Sequence, residues 1–215
     1  MVLSQRVQPV SKAAAAYESL RQQIRTGDLK PGERVTLKRL SDMLRMSLTP
    51  VREALNRLES EGFVVHDAHR GTFIAELTAE RIEQVYRLRA VLEPVAVRQA
   101  GENLDSSSLE FLYEAVKACD EAPTPLETVQ ANEVFHQELY RLSGDGLLVG
   151  FIDQLWAGMP YPSLGLYGSA ERVAESSTQH HAIVDALAEG DLDAAAEAVV
   201  EHIESGKRAA LKNLR

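Results

Sequence analysis

The chain has 215 residues, of which 45% are hydrophobic and 26% are charged, and its formal net charge is −9 at pH 7. This length and composition suit one or two globular domains with real cores. The single cysteine, Cys119, excludes an intramolecular disulfide and a cysteine-based zinc site. The first twenty residues lack a signal-peptide core, and no apolar run approaches the ~18 residues of a membrane span, so we expect a cytoplasmic protein without a membrane partner.

The charge is distributed unevenly along the chain. Residues 1–75 contain twelve Lys and Arg against eight Asp and Glu, a net charge of +4. Residues 76–215 then hold the remaining eleven basic and twenty-four acidic residues, a net charge of −13. A basic first third on an acidic remainder predicts that the first part binds a polyanion and the second does not. The alternative is chance clustering of surface charge.

Apolar residues at helical spacing predict three short helices in the basic part, over residues 13–26, 37–45 and 49–61. Ser47 or Thr49 caps the third helix, and Pro50 lies in its first turn, where a missing N–H costs nothing. The segment FVVHDAHRGTFIAEL that follows has β-forming residues on both sides of a turn. Three helices and a β-hairpin predict a winged helix-turn-helix DNA-binding domain over residues 1–76, with Arg52 at the DNA end of the recognition helix.

From residue 78 onward the strand pattern disappears and helical periodicity replaces it. Gly- and Pro-containing breaks separate six predicted helices, over residues 78–101, 105–121, 126–143, 147–158, 170–189 and 191–213. Six helices in one bundle predict an all-α second domain over residues 77–215. The predicted fold class is therefore mainly α, a winged helix-turn-helix domain followed by a six-helix bundle.

Four polar residues of the predicted bundle have the spacing of a metal site. Asn132 and His136 are four residues apart on one helix, so they face the same way about one turn apart. His180 lies ten residues before Gly190 and His202 eleven residues after Asp191, so antiparallel helices joined at this turn hold both imidazoles at the same height. Three imidazole nitrogens and an amide oxygen suit Zn²⁺, Ni²⁺ or Mn²⁺, with positions left open for water or an effector.

Several motifs resemble one family of regulators. The first domain contains GDLKPGERV, LSDMLRMSLTPVREALNRLESEGFV and RGTFI, and closely resembles the DNA-binding domain of GntR-type bacterial transcription regulators. The second contains YRLRAVLEPVAVRQA, NEVFHQELYRLSG and HHAIVDALAEGDLDAAAEAVVEHI, similar to the FCD effector domain of the FadR branch. Together these cover residues 13–210, and the six-helix count looks like the VanR-type subgroup. The resemblance implies a homodimeric regulator, a repressor, that binds a short palindromic operator in double-stranded DNA.

The resemblance also implies which residues contact DNA. Carried over position by position, the family's contacts fall on Lys38, Ser47, Thr49, Arg52, Arg70 and Gly71. The family usually has Arg between the Ser and the Thr, where this chain has Leu48, so we expect a lost contact and an altered operator. Arg45 stands where the family usually has Gly, and we add it as a substitute cation. The alternative is that these arginines only solvate the surface.

For the bundle, the resemblance supports the metal site, because metal-binding members place Asp or Asn and three His at the positions of Asn132, His136, His180 and His202. His181 is the competing candidate for the position of His180. Arg89 matches an arginine that points into the family's ligand cavity, where it would bind a small carboxylate. An intrahelical pair between Arg89 and Glu93 is an equally weighted alternative. Aromatic residues that line the cavity or pack in the core are Trp156, Tyr161 and Tyr167.

Three functions are consistent with these sequence features. The first is a ligand-responsive, DNA-binding transcription regulator whose operator affinity is controlled by a small carboxylate bound near a divalent metal. The second is a metalloenzyme that uses the Asn/His₃ site on a small organic acid, and the third is a structural-metal protein with no effector. Sequence-specific DNA binding, turnover of a small acid and metal-dependent folding discriminate between them.

Overall fold

The structure is a computed structural model that describes residues 11–157, 159 and 166–214. The chain divides into two compact units, and the boundary along the sequence lies between Glu76 and Leu77. Among the described residues, no helix is both long enough and apolar enough to cross a membrane.

The first unit consists of three helices and a small sheet. Its elements are α1 (Lys12–Thr26), β1 (Arg34–Val35), α2 (Leu37–Leu44), α3 (Leu48–Ser60), β2 (Val64–Asp67) and β3 (Gly71–Ile74). The three predicted helices and the hairpin are confirmed, with helix ends shifted by at most one residue. Strand β1 was not predicted. It pairs antiparallel with β3, Val35 opposite Thr72, in a sheet of order β1-β3-β2.

Helix α3 begins one residue earlier than the sequence predicts. Ser47 occupies the N-cap position, so Thr49 and Pro50 both lie within the first turn. The buried face of α3 consists of Val51, Ala54 and Leu58. This apolar face packs against α1 and leaves the opposite side of α3 in solvent.

The second unit is helical throughout its described residues. Its helices are α4 (Ala79–Glu102), α5 (Ser106–Asp120), α6 (Pro125–Arg141), α7 (Gly146–Ala157), α8 (Ala170–Glu189) and α9 (Leu192–Asn213). All six predicted helices are confirmed, with ends within two residues of the prediction. Helix α4 packs mainly against α9, α8 packs against α9 and α5, and α6 packs against α5 and α4. This packing turns one face each of α4, α6, α8 and α9 into a common interior.

Candidate metal centre and nucleic-acid interface

Three histidines from three helices meet in the interior of the second unit. They are His136 on α6, His180 on α8 and His202 on α9. One ring nitrogen from each of them lies within 4.8 Å of the chosen nitrogens of the other two. At most 4% of any of these side chains is exposed. The antiparallel α8 and α9 are joined at Gly190, whose φ of 75° gives α8 a left-handed C-cap. The equal heights expected for His180 and His202 are thus produced by the helical hairpin.

Hydrogen bonds to two of the rings fix which nitrogen carries the proton. Tyr140 donates its hydroxyl to Glu93 at 2.5 Å and so accepts from His136 Nδ1, 3.0 Å away. His202 Nδ1 lies 3.1 Å from Gln179 Oε1, which can only accept, so this nitrogen is also the donor. In the neutral rings, both Nε2 atoms are therefore unprotonated. They face each other at 3.1 Å.

The interior environment keeps the three imidazoles neutral. Burial is the main cause that lowers the pKa of His136 and of His202 well below the usual histidine value. For His180, burial first and the charge of Arg172 second lower the pKa to about 3. Within the described structure, the buried Nδ1 of His180 has no hydrogen-bond partner. Neutral imidazoles with opposed or unpartnered lone pairs are the donor set that a divalent transition metal prefers, so these residues fit a metal ion.

Asn132, the fourth predicted ligand, is buried on α6 one turn before His136. Its Oδ1 accepts a 2.8 Å hydrogen bond from the hydroxyl of Tyr167. A carbonyl oxygen has two lone pairs, so this bond leaves one for a cation. His181, the competing candidate, instead lies half-exposed against Asp120 at 2.9 Å, outside the cluster. Tyr161 lies outside the described residues.

Arg89 forms the predicted pair with Glu93 inside the protein. Its Nε donates to Glu93 Oε1 at 2.6 Å and one terminal nitrogen lies 3.4 Å from Oε2. Glu93 also accepts from the indole N–H of Trp156 at 2.9 Å, and the guanidinium lies 4.3 Å from the centre of that indole. A continuous chain of hydrogen bonds therefore runs from His136 through Tyr140 and Glu93 to Arg89.

This network contains one group that the sequence reasoning missed, Tyr140, beside the predicted pair of Arg89 and Glu93. Tyr140 follows His136 by four residues, and Glu93 follows Arg89 by four, so helical spacing alone offered a signal for each pair. The link between the pairs could not be anticipated, because it joins α4 to α6. This link matters because the groups that hydrogen-bond a metal-binding imidazole orient its ring.

The DNA-contact candidates of the first unit cluster around the α2–α3 turn. Ser47, Thr49 and Arg52 are exposed at the start of α3, and the side chain of Ser47 makes no capping hydrogen bond. Lys38 is exposed and forms a surface pair with Asp42 at 3.0 Å. Arg45 is the C-cap of α2 in the left-handed conformation, with φ 52°. A helix start with exposed donors is a ready phosphate site.

The remaining two candidates lie at the turn between β2 and β3. Asp67 Oδ1 accepts the backbone N–H groups of His69 and Arg70 at 2.8 and 2.9 Å, which closes the turn. Gly71 has φ 102°, and a Cβ atom there would lie 3.2 Å from Nε of Arg34. Arg34 on β1 thus adds a positive charge next to the β2–β3 turn. The sequence reasoning missed it, because the strand that carries it was not predicted.

Comparison with known proteins assigns both units. The FCD domain matches residues 84–205, and the bacterial regulatory proteins of the gntR family match residues 12–74. The chain belongs to the GntR family of bacterial regulatory proteins, in the group with an FCD domain. It is a transcription regulator, not an enzyme, so the metalloenzyme alternative is wrong.

Two curated relatives and two solved structures illustrate the assignment. The transcriptional regulator McbR of Escherichia coli K12 is 31% identical over 80% of this chain and 78% of its own length. The Nta operon transcriptional regulator of Aminobacter aminovorans is 32% identical over 81% and 83%. The solved structure of E. coli McbR covers 96% of this chain and all of its own with a TM-score of 0.84 at 29% identity. A GntR regulator from Rhodococcus gives 0.76 at 25% identity, covering 94% and 98%.

Proposed function

We propose that this GntR-family regulator is a homodimeric repressor whose operator affinity is controlled by a small carboxylate bound beside a divalent metal ion. The metal ligands are Asn132, His136, His180 and His202, and Arg89 is an effector anchor. The observation that carries the proposal is the 3.1 Å distance between Nε2 of His136 and Nε2 of His202, which the hydrogen bonds of both Nδ1 atoms indicate are unprotonated. A cation between or beside them would relieve the repulsion of two lone pairs.

A bound Zn²⁺, Ni²⁺ or Mn²⁺ would supply a positive charge that attracts a carboxylate. Around it, the residues of this chain have separate tasks. The hydroxyl of Tyr140 and the amide of Gln179 hold the rings of His136 and His202 in the tautomer that presents Nε2 inward. Asn132 adds no negative charge, so the site keeps the full charge of the metal for an anionic effector.

In the first domain, residues 1–76, we propose that the recognition helix α3 enters the major groove of double-stranded DNA. The contacts are Lys38, Arg45, Ser47, Thr49, Arg52, Arg70 and Gly71. Support comes from the exposure of all of them except the half-buried Gly71, and from the hydroxyl of the N-cap, Ser47, which makes no capping bond. Leu48, 48% exposed, stands at the start of α3 without a donor, and so the operator departs from the family's common palindrome.

The second domain, residues 77–215, would bind the effector and form the dimer. Helix α4 presents three apolar side chains on one face, Leu88, Val91 and Val95, each 44–61% exposed. Their spacing of three and four residues makes one continuous stripe. A second copy of the chain is the occupant we propose, because a palindromic operator requires two recognition helices related by a twofold axis. Such a regulator works in the bacterial cytoplasm, where its DNA is.

The test combines elemental analysis with DNA binding. An operator is first selected from randomised duplexes by repeated binding to the wild-type protein. We expect about one divalent metal ion per purified chain, and release of the operator when a small carboxylate from a pooled set is added. The variant N132A/H136A/H180A/H202A should hold no metal and should keep its operator in the presence of the same acids.

Two further variants make the test specific. H202Q removes one ligand and should lower the metal content while the helical CD spectrum is retained. H181Q changes the neighbouring half-exposed histidine and should leave metal content and release unchanged. Release of DNA by a protein that holds no metal would contradict the metal part of the proposal, and the effector would then bind through Arg89 and polar groups alone.

A further inference from the structure

A second buried arginine lies two helical turns before His180 on α8. Only 9% of Arg172 is exposed, yet within the described structure its buried Nε and Nη1 have no hydrogen-bond partner. Its nearest carboxylate is that of Glu175, 3.6 Å from Nη1, and Glu175 is 47% exposed and already accepts a hydrogen bond from Ser205. A buried guanidinium with unmet donors is costly unless something else satisfies them.

The guanidinium adjoins the histidine cluster. Arg172, Ser176 and His180 are four residues apart on one face of α8, and Ser176 Oγ lies 3.5 Å from His180 Nε2. The carbon at the centre of the guanidinium lies 5.9 Å from the ring centre of Tyr167, the residue that donates to Asn132. Arg172 is thus near two residues, Ser176 and Tyr167, that contact two of the proposed metal ligands.

Arg172 and Arg89 are also neighbours of one side chain. The guanidinium of Arg89 lies 4.7 Å from the ring centre of Tyr86. Near the hydroxyl of the same Tyr86, a Cβ built on Gly206 would lie 3.4 Å from that hydroxyl and 3.8 Å from Nη2 of Arg172. The buried Tyr86 therefore lies close to both guanidinium groups inside the second unit.

The two arginines differ in how their charge is balanced. Glu93, fully buried, makes two contacts with Arg89 and so neutralises it. Within the described part of the chain, the one carboxylate that pairs with Arg172 is that of the half-exposed Glu175, which Arg208 also approaches at 4.0 Å. The three histidines are neutral and Asn132 is uncharged. With a divalent metal, the interior holds an excess of positive charge that one carboxylate does not balance.

We infer that Arg172 is a second effector anchor and that the effector is a small dicarboxylate, one carboxylate near the metal ligands and Arg89 and the other on the guanidinium of Arg172, whose Nε and Nη1 lack partners. The N–H groups of Nε and Nη1 lie along different edges of the guanidinium plane, so a carboxylate on either edge would meet at least one unmet donor. The inference rests on the proposed function, which it deepens by naming the class of effector. It assigns to Arg172 a contact with the effector, not with the metal.

The experiment compares acids of equal carbon number on the zinc-loaded, desalted protein. Malonate, succinate and glutarate are titrated beside propionate, butyrate and valerate, and each Kd is measured by calorimetry. For the best-fitting length we expect the dicarboxylate to bind wild type at least about tenfold more tightly than its monocarboxylate. In R172M this ratio should fall to near one, chiefly because the dicarboxylate binds more weakly, while zinc content and Tm show that the variant is folded.

R208M is the matched control, because Arg208 shares Glu175 but is 59% exposed; its ratio should equal that of wild type. R172K, which keeps a charge without the planar fork, should restore part of the preference. Equal binding of the two acid classes by wild type, or a wild-type preference retained in R172M, would overturn the inference and leave the proposed function standing. Zinc-loaded wild type that binds none of the six acids would remove the proposed carboxylate effector together with the inference.

Discussion

At the scale of single residues, Arg45 combines a strained backbone with a candidate DNA contact. It is the one non-glycine residue with positive φ in the described part of the chain. Its backbone N–H bonds to the carbonyl of Asp42, and Ser41 Oγ bonds to the carbonyl of Met46, so the α2–α3 turn is held on both sides of it. A left-handed conformation costs an L-residue about 1–2 kcal/mol that glycine avoids. A strained residue at this turn is best explained by a function of its side chain.

We predict that R45G raises the free energy of unfolding of the first domain by about 1 kcal/mol, because the strain is relieved. Operator affinity should fall, and the dependence of log affinity on log salt should become less steep by about one ion, because a phosphate contact is lost. Urea unfolding and fluorescence anisotropy at several salt concentrations measure the two effects. R45A is the control: it loses the cation but keeps the strained backbone. Unchanged salt dependence in both variants would exclude Arg45 from the interface.

At the scale of elements, the helical hairpin α8–α9 shows which parts of the candidate site can be predicted from the sequence. Rise per residue and a Gly turn are local properties, so the pairing of His180 with His202 could be predicted by counting from Gly190. The same reasoning found all nine helices of the described chain. Strand β1 escaped it because two residues carry no periodicity, and β1 exists only through its pairing with β3.

The polar interior behind the histidines was less predictable. In the sequence, nothing distinguishes Glu93 and Arg172 from the charged residues of a helix surface. They are buried because α4 and α8 pack against other helices. Pattern reasoning assigns such residues to the solvent face by default. The contacts that distinguish Arg89 from Arg172 join different helices, so the two arginines look alike until the fold is known.

The same elements predict how stability depends on pH. In the metal-free protein the pKa of each cluster histidine is lowered, so the unfolded chain binds protons below about pH 6.5 and the folded chain does not. Stability is therefore complete above about pH 6.5 and is lost as the pH falls, by up to about 1.4 kcal/mol per pH unit for each histidine. Urea unfolding of chelator-treated protein between about pH 7.5 and 4.5 measures this slope.

H180Q supplies the comparison, since it removes one of the three groups. Its unfolding should take up about one proton fewer than that of wild type, so the slope of unfolding free energy against pH should be shallower by about 1.4 kcal/mol per pH unit. A slope identical to that of wild type would mean that His180 is protonated in the folded state, in conflict with its burial and with a role as a metal ligand.

At the scale of the whole molecule, regulation requires two binding events to be coupled. An effector changes operator affinity only if it binds two states of the dimer with different affinities. The chain has a GntR DNA-binding unit and an FCD unit. In the proposed homodimer, one twofold axis would relate both the two DNA-binding units and the two FCD units. A palindrome bound by two linked recognition helices is held far more tightly than by one, because the second contact is intramolecular.

The apolar stripe on α4 makes the proposed dimer testable. We predict that V91E, a charge at the centre of Leu88, Val91 and Val95, converts the protein to a monomer in sedimentation analysis. A carboxylate buried in an apolar interface has no partner and cannot remain there. Affinity for the palindromic operator should fall at least about tenfold through loss of the linked second contact, whereas affinity for an isolated half-site should not change.

V134E on α6 is the matched control, because Val134 is also a half-exposed valine of the second unit, 48% exposed against 61% for Val91. It should remain dimeric and keep full operator affinity. A dimeric V91E together with a monomeric V134E would place the interface on α6 instead of α4. That result would also bear on the effector, because α6 carries Asn132 and His136, and metal binding would then lie directly behind the contact between the two copies.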